Sequence, residues 1–163
     1  MSQGYATSLP LFRAKIESGW IDYNGHLRDA YYGLVASLAI DEVMDHLGLD
    51  AAYRASTQGT LYTLEVHMHY LHEVKSTDDL SVATLILDFD RKRIHAGCVF
   101  RCPRVTDAVA TAEMMLLHVH QGEKPASAPF PAHVAARLGA LKASPEERAG
   151  FGPISRAIEL KRR

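Results

Sequence analysis

The stretch that decides the fold runs from Asp29 to Leu47, DAYYGLVASLAIDEVMDHL. It is the longest proline-free segment with helical spacing. Tyr32, Ala36, Ala39, Val43 and Leu47 recur at every third or fourth residue, and Leu34, Val35, Leu38 and Ile40 widen the apolar surface. Polar groups gather on Ser37, Asp41 and Asp45, a narrow stripe. So apolar a helix predicts packing on most of its sides rather than a place on the surface. Asp29 suits an N-cap or first-turn position, and Gly48 a stop.

Beyond this helix, and a linker from Tyr53 to Gly59, the period changes to two. From Leu61 to His72 the even positions are Tyr62, Leu64, Val66, Met68 and Tyr70, against Thr63, Glu65, His67 and His69. One apolar and one polar face predict an antiparallel strand covered on one side. Further strands are expected at Asp79–Asp88, Arg91–Arg101 and Val109–His120. Their short polar connections favour a meander. Upstream, Leu11–Glu17 alternates Phe12, Ala14 and Ile16 with Arg13, Lys15 and Glu17. A turn-rich stretch with Asn24-Gly25 separates it from the helix. Downstream, Pro125, Pro129 and Pro131 end the sheet pattern, and a short helix is expected at about His133–Lys142. The order is strand, long helix, then four strands. It predicts an α+β fold in which an antiparallel five-stranded sheet wraps around one central helix. Residues 1–142 read as one domain and 143–163 as a polar C-terminal tail.

Composition narrows the function classes. The chain has 163 residues, 47% hydrophobic and 23% charged, with 18 basic and 19 acidic side chains for a net charge of −1. A general nucleic-acid binder is usually strongly basic, so that class loses weight. No apolar run is long enough for a membrane span, and Met1–Ala6 lacks the pattern of a secretion signal. A cytoplasmic setting is the expectation. Cys98 and Cys102 are four apart, too far for a disulfide on one straight strand, and read as reduced thiols in the core.

The chemistry concentrates in Trp20-Ile21-Asp22-Tyr23-Asn24-Gly25-His26-Leu27-Arg28-Asp29-Ala30-Tyr31-Tyr32. Within eight residues it sets a carboxylate, a tight turn, a histidine and a helix start. Amides at a helix start can hold a carbonyl oxygen as it gains negative charge. A carboxylate beside them can attack that carbonyl or activate water. On residues alone the signal is weak, because Asp22 also reads as a turn residue bonding its own backbone.

This segment resembles the signature of hotdog-fold acyl-CoA thioesterases of the 4-hydroxybenzoyl-CoA thioesterase type, with Asp22, Gly25, His26, Asp29 and Tyr32 on the pattern. The resemblance extends over the helix and strand order, about residues 8–120, and departs at Arg28, where Asn is common. It implies Asp22 as catalytic carboxylate, as nucleophile or as base. The backbone N–H near Asp29 becomes the oxyanion donor, and His26 orders the turn or contacts substrate. The strings Trp20–His26, Leu61–His67, Tyr70–Val74, Lys92–His95 and Met115–Val119 are closer still to the thioesterases of carnitine catabolism, which hydrolyse betainyl-CoA. Hydrolysis of this kind uses no metal or redox cofactor, coenzyme A entering as part of the substrate.

A trimethylammonium group favours aromatic faces. Trp20, Tyr23, Tyr31, Tyr32 and Tyr62 are the candidates, with Asn24 and Gly25 beside them and Glu65 as counter-charge. Each aromatic also reads as core filler, and Glu65 as a surface or interface residue. Arg91-Lys92-Arg93, at a turn between strands, is the expected contact for CoA phosphates unless simply solvated, and Lys161-Arg162-Arg163 a weaker one. His67 with His69 and His118 with His120 could hold zinc only if all four converged, and no metal is expected. The resemblance implies a homodimer or a dimer of dimers with shared active sites. The rival readings are a hydratase or dehydratase of acyl thioesters, and a non-catalytic module binding acyl-CoA or a quaternary ammonium.

Overall fold

The computed structural model describes residues 8–152 and Ile154. The basic end Lys161-Arg162-Arg163 and the opening Met1–Ala6 lie outside the described residues. The long helix, α1, spans Asp29–Leu47, the limits expected from the sequence. Asp29 lies in its first turn rather than at its cap, which is Arg28. Five strands carry the sheet: β1 (Phe12–Ala14), β2 (Gly59–Tyr70), β3 (Leu80–Phe89), β4 (Arg93–Arg101) and β5 (Ala110–His120). All pairings among them are antiparallel, in the order β1-β3-β4-β5-β2. A two-residue β6 (Ala126–Ser127) pairs with the end of β5. The sheet curls round α1, whose buried residues Val35, Ala36, Ala39, Val43 and Leu47 meet Val82, Ile86, Ala96, Cys98, Phe100 and Met114 in one core. This is the hotdog arrangement.

The meander holds only from β3 to β5. β2 crosses to the far side of β5 instead of pairing with β3. Short polar connections are equally compatible with that crossover, and periodicity carries no information on strand order. As an edge strand, β2 also escapes the expected cover. Leu64, Val66 and Tyr70 are 56%, 41% and 53% exposed. A bulge between Thr63 and Glu65 shifts its faces. Beyond it Val66, Met68 and Tyr70 pair with Met114, Ala112 and Ala110 on the helix side, while Glu65 and His67 pair with Met115 and Glu113 on the outer side. The helix is likewise open along one side, with Leu34 and Leu38 exposed beside Gly33 and Ser37.

Two stretches expected to be irregular are structured. The linker contains α2 (Ala51–Thr57), capped by Asp50, whose side chain accepts the Tyr53 amide. Seven residues of mixed polarity are too few to show a helical period. After α3 (Ala132–Leu141), the stretch read as a polar tail begins with α4 (Pro145–Phe151). A capping box between Ser144 and Glu147 starts α4. Phe151, its last residue, is buried against Leu85, Leu87 and Val99 on the outer sheet face. Gly97 leaves room for that ring: a Cβ there would lie 2.6 Å from Phe151 Cε2.

Both cysteines are free and buried. Burial pushes the Cys98 thiol up to about 12, and it packs as an apolar group.

Candidate active site

The loop before α1 is closed by its own backbone. Asp22 N–H donates to His26 O at 2.8 Å, Gly25 N–H donates to Asp22 O at 3.0 Å, and Ile21 bridges Leu27. Gly25 takes φ +80°, a left-handed conformation that a side chain would strain. Inside this loop, Asp22 Oδ1 accepts the amides of Asn24 (2.8 Å) and His26 (3.1 Å). The turn role and the presentation of a carboxylate are therefore one arrangement: Oδ1 orders the loop, and Oδ2 takes neither bond. The His26 amide, opposed by desolvation and helped by the Asn24 amide, holds this carboxyl below its ordinary range.

A strap of residues 71–75 lies along the loop. Leu27 N–H donates to Val74 O at 2.7 Å, and His26 bridges Lys75. Between strap, loop and helix is an open cleft of about 400 Å³. Asp22, His26, Arg28 and Asp29 line one side, and Tyr70, His72 and Glu73 the other, with Tyr32 and Leu27 between them. Tyr32 is 3% exposed. Its ring meets Tyr70 edge-on at 5.3 Å and Phe100 at 5.7 Å, and burial pushes its hydroxyl up to about 12. His26 Nε2 is 3.9 Å from Glu73 Oε1.

The start of α1 supplies amides at this cleft. Arg28 N–H is bonded to Trp20 O, Tyr31 N–H to Arg28 O, and Ala30 N–H to the Asp29 carboxylate at 2.9 Å. The Asp29 N–H, at the first position of the helix, has no partner within it, and Asp29 lines the same cleft as Asp22. The Tyr70 hydroxyl donates to Asp29 O at 3.3 Å, tying this turn to the end of β2.

The structure brings together Asp22, His26, Asp29 and Tyr32, with Asn24 and Gly25 shaping the loop. Trp20 stacks on Tyr31 at 5.2 Å behind the loop, and Tyr23 is 94% exposed at its tip; neither lines the cleft. Tyr62 and Glu65 sit on the outer side of β2, across from Leu117 and Met115, on the sheet face opposite the cleft within one protomer. Arg91 and Lys92 lie in the β3–β4 turn and Arg93 opens β4, where its Nε and Nη2 both donate to Asp90 Oδ2, at 2.8 and 2.6 Å, and hold that carboxyl down to about 2. Lys92 Nζ bonds Ser127 Oγ. The two histidine pairs lie at different ends of β5: His67 and His69 face Glu113 and Thr111, His118 and His120 face Leu61 and Gly59. His118 is buried between Tyr53 Oη and Ala128 O, each 2.9 Å from its ring nitrogens. Among the described residues no group of three or more His, Cys, Asp or Glu is placed to hold a metal ion.

Sequence reasoning assigned no role to Tyr70, His72 and Glu73. They lie 48 to 51 positions beyond Asp22, and only the folding of the strap against the loop makes them neighbours. The string Tyr70–Val74 does stand out in the resemblance, and that was the available signal.

Comparison with known proteins places the fold in a family. The Thioesterase-like superfamily matches residues 16–138. The betainyl-CoA thioesterase of Pseudomonas aeruginosa is 45% identical over 133 residues, 82% of this chain and 83% of that protein. The L-carnitine dehydrogenase/betainyl-CoA thioesterase of Agrobacterium fabrum is 38% identical over 156 residues, 94% of this chain but 31% of that longer protein. A hypothetical protein of Staphylococcus aureus solved in complex with CoA superposes with a TM-score of 0.80 at 27% identity, covering 95% of this chain and 97% of that one. With its curled sheet, its buried helix and a match spanning most of its length, this chain belongs to the thioesterase-like superfamily.

Proposed function

We propose that this chain hydrolyses betainyl-CoA to betaine and CoA, with Asp22 as the catalytic carboxylate and the Asp29 N–H as oxyanion donor. The observation that carries the reading is that an ionised carboxylate and the first amide of the helix line one cleft together. The 45% identity to a betainyl-CoA thioesterase supports the substrate.

Two loop amides hold the Asp22 carboxyl ionised, and direct attack by it is the route taken here; base catalysis, with Asp22 taking a proton from the attacking water, would use the same groups. An Asp22 oxygen adds to the thioester carbon. The carbonyl oxygen becomes an oxyanion bonded to the Asp29 N–H. Collapse breaks the C–S bond, and CoA leaves as a thiolate that takes a proton from water. Water then adds to the mixed anhydride, releasing betaine and restoring Asp22. Every step uses groups of this chain, the substrate and water, so the chemistry calls for no metal or redox cofactor.

The working unit in this reading is a homodimer, alone or as half of a dimer of dimers. β2 is a 12-residue edge strand whose Leu64, Val66 and Tyr70 are exposed beside Leu71. Such an edge is a template for a second strand, and a partner there would bring Tyr62 and Glu65 to the interface. Arg91, Lys92 and Arg93 remain the candidates for the CoA phosphates, with Arg93 shared with Asp90. Two buried free thiols suit a reducing cytoplasm, and among the described residues no helix is long and apolar enough to cross a membrane.

The test is free-thiol release from a panel of acyl-CoAs that includes betainyl-CoA. The proposal expects betainyl-CoA to have the highest kcat/KM of the panel. Hydrolysis of other short acyl-CoAs with betainyl-CoA left intact would contradict the substrate assignment. Binding of acyl-CoA without thiol release from any of them would favour the binding-module reading.

A further inference from the structure

We propose that Glu73 is the specificity carboxylate for the substrate's trimethylammonium group, with the ring of Tyr70 beside it; the assignment rests on the betainyl-CoA reading above.

Substrate geometry restricts where such a group can be. In a betainyl ester the cationic nitrogen is joined through one CH₂ to the reacting carbon, the same N–C–C geometry as a peptide backbone, so the two atoms are only about 2.5 Å apart. With the carbon at an attack distance of about 3–3.5 Å from Asp22, the counter-charge must share the cleft with Asp22. Glu73 does so. Its Oε1 is 3.9 Å from His26 Nε2, and the His26 amide is bonded to Asp22 Oδ1. Glu65 lies across the sheet in the same protomer. Asp29, the other acidic group of the wall, has Oδ1 on the Ala30 amide.

The backbone of Glu73 is fixed before substrate arrives. Its carbonyl accepts Arg104 Nη2 at 2.7 Å. Arg104 is in turn forked onto Asp78, Nε to Oδ1 at 3.1 Å and Nη2 to Oδ2 at 2.9 Å. Val74, the next residue, accepts the Leu27 amide. The strap fixes where Glu73 leaves the backbone, while its side chain, 53% exposed, is free to turn toward a cation in the cleft. Tyr70 is half-exposed, held edge-on by Tyr32 and tied by its hydroxyl to Asp29 O. Its ring is one an alkylammonium can contact. The remaining charged groups of the wall, Arg28 with His26 and His72, are not carboxylates, which leaves Glu73, among the described residues, as the acidic side chain of the cleft that accepts no backbone amide; its contact there is the loose 3.9 Å approach to His26 Nε2.

The experiment compares betainyl-CoA with tert-butylacetyl-CoA, which has the same shape with carbon in place of the charged nitrogen. The readout is the ratio of their kcat/KM values. Glu73→Gln is expected to lower the ratio about tenfold, mainly through KM for the cation. Tyr70→Leu is expected to lower it several-fold, and Glu73→Asp to retain part of it. A wild-type ratio well above one that survives Glu73→Gln overturns the assignment, as does an equal loss on both esters. Collapse of the ratio in Glu65→Gln but not in Glu73→Gln moves the cation to the other sheet face and overturns it too. A wild-type ratio at or below one instead refutes the betainyl-CoA reading on which the assignment rests.

Discussion

Replacing Asp29 by proline isolates the oxyanion amide with little disturbance elsewhere. Asp29 is the first residue of α1, a position where proline is well tolerated because the missing N–H has no partner in the helix. Arg28 before it has φ −64° and ψ 141°, within the range a residue preceding proline adopts. The substitution therefore keeps the helix but deletes the amide assigned to the developing charge. It also removes a carboxylate that bonds the Ala30 amide and complements the helix dipole, worth about 0.5–1 kcal/mol of stability. Asp29→Ala removes that carboxylate while keeping the N–H, so the comparison of the two variants reports the amide alone. Losing one oxyanion donor costs about 100–1,000-fold in kcat. Initial rates of thiol release from betainyl-CoA, with melting temperatures to check folding, give the answer. The account expects Asp29→Pro to be at least about 100-fold slower than Asp29→Ala at similar stability. Equal rates for the two folded variants would show that the Asp29 amide takes no part.

Three further outcomes follow from the same geometry. In the proposed mechanism Asp22 acts ionised, and its surroundings lower its pKa, so activity requiring the carboxylate is present above that pKa and lost as pH falls through it; kcat/KM should show no acid limb from Asp22 above its usual 3.8, and a limb near neutrality would point to a different essential group. Phe151→Ala empties the contact with Leu85, Leu87 and Val99, and is expected to cost about 3 kcal/mol in denaturant unfolding; no measurable loss would mean that α4 does not hold the outer face in solution. Val66→Lys places a charge on the exposed helix-side row of β2 and should shift sedimentation from dimer to monomer with loss of activity; a variant that stays dimeric, or a fully active monomer, would remove β2 as the functional interface.

The sequence was most legible where one period dominates. Nineteen residues from Asp29 to Leu47 repeat apolar groups at helical spacing, and the helix has those limits. β4 sets Ile94, Ala96, Cys98 and Phe100 on one face, and β3, β4 and β5, apolar segments between short polar connections, appear within two residues of their expected positions. What stayed hidden depends on contacts distant in the chain. The crossing of β2 to β5 and the exposure of Leu34, Leu38 and Val66 are properties of strand order, not of any one segment. α2 and α4 are seven residues each, held by Asp50 and Ser144 caps and, in α4, by one buried ring. In the cleft, the acidic loop and helix start could be located from adjacent residues, whereas Tyr70, His72 and Glu73 reach it only through the strap that Arg104 and Leu27 stitch down.

In the proposed reaction the Asp22 side chain both orders its loop and performs the chemistry. Asp22→Asn keeps an oxygen that can accept the Asn24 and His26 amides while removing the negative charge. Measured together, steady-state turnover of betainyl-CoA and calorimetric affinity for CoA separate the two roles. Turnover should fall about 1,000-fold or more while the affinity for CoA stays within about threefold of wild type; turnover preserved in this variant would leave Asp22 with the loop role alone.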